Sequence, residues 1–240
     1  MELIRSKVER PSPAPHLIRP RLVDVLRTGV DAGLATLVVG RAGTGKTVAV
    51  ADLARSMAGR DAWYTVDESD TEFERFAAYL FEALGLRQRP DTRDLRPERV
   101  AELLTVEVLD RPNAPDLLVV EDLHLVYDTS WFGPFFSRLL PMLPGTVHVL
   151  MTTRAMPPVP LWRMRSKQSL AVVDEDVLTF SEAEAAQLFA RYGLPEVSAR
   201  AAIRATRGRA ARLDAFAQCL AGDNPVYGVS TSSSPFRRTG

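Results

Sequence analysis

The sequence predicts an α/β protein in which helices cover both faces of a parallel sheet, with a small helical subdomain behind it. Three observations carry this. Short apolar runs such as Leu34 to Val39, Leu117 to Val120 and Val147 to Met151 alternate with stretches of helical period. The first run leads directly into Gly40-Arg41-Ala42-Gly43-Thr44-Gly45-Lys46-Thr47 and then into a further helical stretch. From Phe180 to Leu220 the strand runs cease, and the pattern is helical and rich in alanine.

The glycine-rich stretch is G-x-x-x-x-G-K-[ST], the Walker A pattern, in the strand-before, helix-after setting that it needs. Glycines let the backbone curl so that successive N–H groups point inward, and the following helix presents its positive end to the same point. A polyphosphate fits there. The fold class therefore narrows to a P-loop NTPase three-layer sandwich, with Gly40 to Val48 (Gly40, Arg41, Ala42, Gly43, Thr44, Gly45, Lys46, Thr47, Val48) around the phosphates. Lys46 is placed to reach the β- and γ-phosphates, and the Thr47 hydroxyl to hold Mg²⁺.

Composition sets the remaining bounds. Of 240 residues, 46 % are hydrophobic and 25 % charged, enough for a sizeable core. The 30 basic and 30 acidic residues cancel, which leaves no global basic field for nucleic acid or an anionic membrane. One cysteine, Cys219, excludes an intramolecular disulfide and fits a reducing cytoplasm; its apolar run predicts a packed thiol. No apolar stretch approaches the ~18 residues that span a bilayer, and the N-terminus lacks the apolar segment of a signal peptide, so the expected location is cytoplasmic.

Along the chain, Pro11, Pro13, Pro15 and Pro20 predict an extended arm over residues 1–18. The α/β core follows over 19–178. Leu22, Val23, Val25, Leu26 and Val30 recur at helical spacing upstream of the Walker A strand. Ala62 to Val66 reads as a strand. Thr71 and Glu74 read as a capping box for a helix whose apolar face is Phe73, Phe76, Ala77, Leu80, Phe81 and Leu84, an aromatic stripe expected in the core. Gly85 to Pro97 reads as an exposed loop, and Glu98 to about Leu109 as a helix. Trp131 to Leu140 forms another amphipathic helix, closed by Pro141 and by Pro144-Gly145. Thr146 to Met151 and Leu170 to Val173 read as further strands. Ser181 and Glu184 form a capping box opening a helical lid over 179–221, and residues 222–240 a flexible tail. In the lid, Arg200, Arg204, Arg207, Arg209 and Arg212 read as a solvated helix face.

Ligands of such sheets bind at the carboxyl ends of the strands. Three of those ends carry groups suited to a nucleotide: the phosphate loop, Glu121-Asp122 after four apolar residues in the Walker B arrangement, and Arg154. One carboxylate would hold the metal and its neighbour would orient or deprotonate the attacking water. Arg154 is placed to sense the γ-phosphate and spread transition-state charge. His124 stands two residues beyond Walker B, and with three histidines in all no zinc site is expected.

The combination of Arg19-Pro20-Arg21-Leu22, the phosphate loop, Ala62 to Asp70 with Phe76 to Leu84, Glu121-Asp122-Leu123-His124 and Thr153-Arg154 resembles the nucleotide-binding domain of STAND ATPases. These belong to the AAA+-related P-loop class, and the likeness is to the MalT-type and LuxR-type large bacterial transcription regulators over about residues 16 to 221. The resemblance implies an added-strand core with the Arg154 strand between the Walker A and Walker B strands. It implies that Arg19, Pro20 and Arg21 lie near the adenine, that Arg154 is the sensor arginine, and that Leu161 to Arg165 help close the site. It implies ATP/ADP with Mg²⁺ as cofactors and ATP as a switch: the ADP form rests and the ATP form self-associates or engages a partner protein. Two departures stand out. Glu121 occupies the metal position where the family usually has aspartate, and the tryptophan expected near Arg207 to Ala211 is absent. The sequence stops where such regulators continue into winged-helix, sensor-repeat and helix-turn-helix modules, so it reads as a piece of a longer regulator or as a short relative.

The expected function is a nucleotide switch with slow Mg²⁺-dependent ATP hydrolysis. Asp122, Lys46 and Arg154 would be its catalytic groups, and Thr47 and Glu121 its metal ligands. Two alternatives are a nucleotide-locked scaffold without turnover and a small-molecule kinase. Neither a membrane nor direct DNA contact by this chain is expected.

Overall fold

Residues 3–33, 35–57, 59–86, 92, 94–157 and 170–222 are described by the computed structural model. They divide into two compact units, residues 1–178 and 179–240.

Among the described residues the first unit is built on five strands: β1 (Ala35–Val39), β2 (Asp61–Thr65), β3 (Leu117–Glu121), β4 (His148–Thr153) and β5 (Leu170–Val173). Their order is β2-β3-β4-β1-β5, and every pairing is parallel. The Arg154 strand, β4, thus lies between the Walker A strand and the Walker B strand, as the resemblance implies. Alternate residues divide between two apolar layers, which is why these strands read as unbroken apolar runs. Val38, Trp63, Leu117, Val119, Leu150 and Val173 pack with α1 (Pro20–Ala32) and α2 (Lys46–Ser56). Leu37, Ala62, Tyr64, Leu118, Val120 and Met151 pack with α3 (Phe73–Ala83), α4 (Pro97–Leu109) and α5 (Phe132–Met142). On that second side Phe73, Phe76, Trp131, Phe135 and Phe136 form one aromatic cluster, with Phe76 and Trp131 centroids 4.7 Å apart. The aromatic stripe is core, as its period suggests. A short α6 (Glu175–Leu178) follows β5.

The N-terminal arm is pinned to this unit by three of its side chains. Lys7, 6 % exposed, pairs with the wholly buried Asp70 and stands 4.1 Å from the Tyr79 ring centroid. Arg10 meets Asp61 at 2.9 Å, and His16 meets Asp52 at 3.0 Å.

The second unit holds α7 (Glu182–Arg191), α8 (Glu196–Thr206) and α9 (Ala210–Gly222) around Ala185, Leu188, Phe189, Ala199, Ala202, Leu213 and Ala217. Ser181 and Glu184 form the expected reciprocal cap. Gly208 at φ 67° is tightly placed: a Cβ there would stand 3.0 Å from the Phe180 carbonyl oxygen. Arg200, Arg204, Arg207 and Arg212 are exposed.

Several sequence expectations need correction. The cap before α3 is not Thr71 with Glu74. Glu72 is the N-cap of α3 and makes no side-chain cap bond, while Asp67 and Asp70 form a reciprocal box that opens the separate 3₁₀ turn Glu68–Thr71. Pro141 lies inside the last turn of α5 and does not close it. β4 begins at His148, two residues later than expected, and continues to Thr153 because it stays paired with β1 up to Val39. Cys219 is exposed rather than packed, since α9 buries Leu213 and Ala217 on another face. Leu161 to Arg165, residues 87–91 and 93 of the Gly85 to Pro97 loop, and residues 223–240 lie outside the described residues.

Candidate functional site

The loop after β1 is shaped by its own backbone. Gly40 extends the ladder by one bond, its N–H donating to the Thr153 carbonyl at 3.1 Å. Gly43 and Gly45 then take φ of 77° and 88°, a left-handed path closed to most side chains, and Gly45 caps the start of α2. The Thr44 hydroxyl donates to the Arg41 carbonyl at 2.9 Å. Lys46, 8 % exposed, donates to the carbonyls of Gly40 at 2.5 Å and Arg41 at 3.2 Å. Burial lowers its pKa, with Arg154 pushing the same way; Asp122, Glu121 and Glu175 pull against them.

Glu121, the last residue of β3, is 3 % exposed. Its Oε2 accepts from the indole N–H of Trp63 at 3.1 Å, while Oε1 is buried without a hydrogen-bond partner among the described residues. Burial raises its pKa, although the Thr47 hydroxyl and the indole favour the charged form. Asp122 turns the chain out of the strand at φ 53°, and its N–H donates to the Thr152 hydroxyl on β4 at 3.2 Å. Its carboxylate stands 3.8 Å from His124 Nδ1. Burial lowers the His124 pKa, with Arg154 and Lys46 adding to the effect against Asp122. Arg154, exposed at the end of β4, thus exerts its charge on both Lys46 and His124.

Arg19, the N-cap of α1, is 5 % exposed and donates to the Leu178 carbonyl at 2.7 Å; Arg21 donates to that of Val177 at 3.0 Å. Leu178 in turn crowds Gly40, where a Cβ would come within 3.0 Å of it. This brings Arg19, Pro20 and Arg21 to α6, at the margin of the phosphate loop. The outer side of the loop is held by Glu175, which accepts from the Arg41 backbone N–H at 2.9 Å and from its guanidinium at 2.7 Å.

The first unit therefore gathers Lys46, Thr47, Glu121, Asp122 and Arg154, three strand ends, within one electrostatic neighbourhood. Sequence reasoning missed Trp63 and Glu175. Trp63 stands in a strand otherwise read as core. Glu175 lay within an acidic run without a motif.

Residues 30–146 match the family of AAA domains. Over that stretch the chain is similar to AAA-type P-loop NTPase domains. Two curated relatives are HTH-type transcriptional regulators named MalT. That of Serratia proteamaculans is 32 % identical over 204 residues, 78 % of this chain and 22 % of the relative. That of Yersinia enterocolitica is 31 % identical over 200 residues, with the same coverage. The chain thus spans about a fifth of the length of these regulators. Among solved structures, a Walker-type ATPase of Pyrococcus abyssi aligns with TM-score 0.56 at 10 % identity, covering 88 % of this chain and 70 % of that one. A STAND protein with a tetratricopeptide repeat sensor from Pyrococcus horikoshii aligns with TM-score 0.55 at 16 % identity, over 83 % of this chain and 29 % of that one. Both share this chain's fold, and the MalT matches agree with the resemblance drawn from the sequence.

The residues present fit a Mg²⁺-bound nucleotide. The Thr47 hydroxyl and Glu121 offer hard oxygen donors, and the buried, unpartnered Oε1 is the kind of atom that a cation or its water would satisfy.

Proposed function

We propose that this chain is an ATP/ADP-binding switch with slow Mg²⁺-dependent ATP hydrolysis, serving a cytoplasmic transcription regulator of the MalT type. One observation supports this above the rest: Lys46 on α2 is electrostatically coupled at once to Glu121 and Asp122 from β3 and to Arg154 from β4. Two carboxylates and a guanidinium from two other strand ends around one lysine are the surroundings of a phosphate site.

In this reading the backbone N–H groups of Gly43 to Val48 and the Lys46 ammonium bind the phosphates. Arg19 to Arg21 flank the base. Thr47 and Glu121 hold Mg²⁺, which when bound draws charge from the phosphate oxygens. Asp122 orients a water and takes its proton as the new P–O bond forms and the bond to the β,γ-bridging oxygen breaks. Arg154 stabilises charge on the γ-phosphoryl group and reports its presence. Lys46 needs no large movement: its ammonium exchanges loop carbonyls for phosphate oxygens.

Hydrolysis is slow because Glu121, one methylene longer than aspartate, sets its carboxylate in a burial that favours the neutral form. In the ATP state the chain self-associates or engages a partner protein. Denaturing the purified protein and identifying the released nucleotide by chromatography tests the binding, and phosphate release that vanishes in Asp122→Asn tests the turnover. Absence of adenine nucleotide, together with no binding on its addition, would refute both.

A further inference from the structure

Among the described residues, Trp63 is the one side chain from outside the motifs with a hydrogen bond to Glu121. It lies on β2, the edge strand next to β3, and its Cα is the partner of Val119 while Thr65 is the partner of Glu121. Positions 63, 119 and 121 therefore share the sheet face that carries α2. The indole is 1 % exposed. An indole N–H can only donate, and buried in an apolar layer it must find an acceptor. Glu121 Oε2 is that acceptor, at 3.1 Å.

The same bond settles what is left of the carboxylate. With Oε2 held, Oε1 is buried and without a hydrogen-bond partner among the described residues. A buried carboxylate oxygen with no partner is costly unless something enters to bind it. An aspartate at 121 would end about 1.5 Å short of this position, one carbon–carbon bond. The glutamate's length, a departure from the usual motif, is what lets it meet an indole two residues back on the neighbouring strand.

We propose that Trp63 is a positioning residue for the cation site: it holds one oxygen of Glu121 so that the other is presented to Mg²⁺ or its bound water. This rests on the nucleotide-binding reading above. Its role is separable from packing, because phenylalanine keeps an aromatic ring in the same layer and removes only the N–H. It is also separable from general affinity for nucleotide, because phosphate binding by the loop does not pass through Glu121. Outer residues that orient a metal ligand are worth about 10- to 100-fold in metal affinity.

The test is the ratio of affinities for a fluorescent ADP analogue in Mg²⁺ and in EDTA. Trp63→Phe should lower that ratio about tenfold while leaving the EDTA affinity unchanged. Glu121→Gln should lower it further, and adding Trp63→Phe to Glu121→Gln should then change nothing. A wild-type ratio in Trp63→Phe, or an equal loss in Mg²⁺ and EDTA, would overturn the proposal. If the wild-type chain bound the analogue in neither buffer, the nucleotide reading itself would fall. A second measurement uses the unmutated chain, so that a variant that fails to fold does not end the matter. Its indole N–H resonances, assigned with Trp131→Phe and Trp162→Phe, should show Trp63 shifting when Mg²⁺ is added to the ADP-bound protein. An unmoved Trp63 resonance would contradict it.

Discussion

The ammonium of Lys46 is bonded to the Gly40 carbonyl at 2.5 Å, so the phosphate loop carries its own counter-charge folded back on its backbone. The arrangement keeps a buried cation satisfied by carbonyls that a phosphate can replace. Lys46→Ala should weaken ADP and ATP binding tenfold or more. The thermal midpoint of the nucleotide-free chain should move by only a few degrees, because the lost hydrogen bonds and the relieved burial of charge offset each other. Calorimetric titration and a thermal melt of the same sample check the two halves.

Glu121 stands at odds with stability. Burial raises its pKa above that of the unfolded chain, so the native state holds the extra proton in the window between the two values. The stability that this proton confers is present below the unfolded pKa and lost as pH rises through the folded one. At neutral pH the charged carboxylate is therefore a burden. Glu121→Gln should raise the melting temperature of the nucleotide-free protein at neutral pH while impairing Mg²⁺-dependent nucleotide binding. A lower melting temperature would count against this reading of the buried carboxylate.

His148 gives the opposite slope. Its Nδ1 faces the Gly33 carbonyl at 2.9 Å and must donate, which leaves Nε2 to accept from the Thr36 hydroxyl at 2.9 Å; the ring is neutral. Burial lowers its pKa, with Gly33 and Asp31 working against it. Below about pH 6.5 the unfolded chain takes up a proton that the native chain resists. Stability from this residue is thus complete above that pH and declines as the pH falls toward the folded value. Denaturant melts across that range should show His148→Gln with a flatter pH dependence than wild type.

Two arm contacts differ sharply in burial, and their energies should differ with it. Lys7 and Asp70 have side chains 8 % and 0 % exposed, and Lys7 is shared with Asp67 at 3.1 Å. Removing one partner of such a pair costs about 3 kcal/mol. Arg10 and Asp61 are 37 % and 19 % exposed, and breaking that pair costs under about 1 kcal/mol. Urea melts of Lys7→Ala and Arg10→Ala should separate the two values. Equal effects would mean that the arm is held by something other than its buried cation.

Much of the core was legible because its signals are local. Val119 and Val120 face opposite layers, yet both are buried, so the run is apolar without alternation. The Walker A loop reads directly, since Gly45 must supply the left-handed turn before Lys46. What was hidden depends on partners far along the chain. Asp70 looks like an ordinary acidic residue, yet it is wholly buried against Lys7, 63 positions away, and serves as the N3 partner of Asp67 in the box of the 3₁₀ turn. Trp63 looks like core until strand register sets it against Glu121, 58 positions on. Cys219 misled for a different reason: a run of alanines has no strong face, and Leu213 and Ala217 decide which side is buried.

The most direct check is a calorimetric titration of the whole chain with ADP and ATP, in Mg²⁺ and again in EDTA, beside Lys46→Ala. Expected is binding of one adenine nucleotide per chain, tighter with Mg²⁺ and lost or greatly weakened in the variant. A silent titration in both buffers, or one that Lys46→Ala leaves unchanged, would show that the three strand ends do not form a nucleotide site.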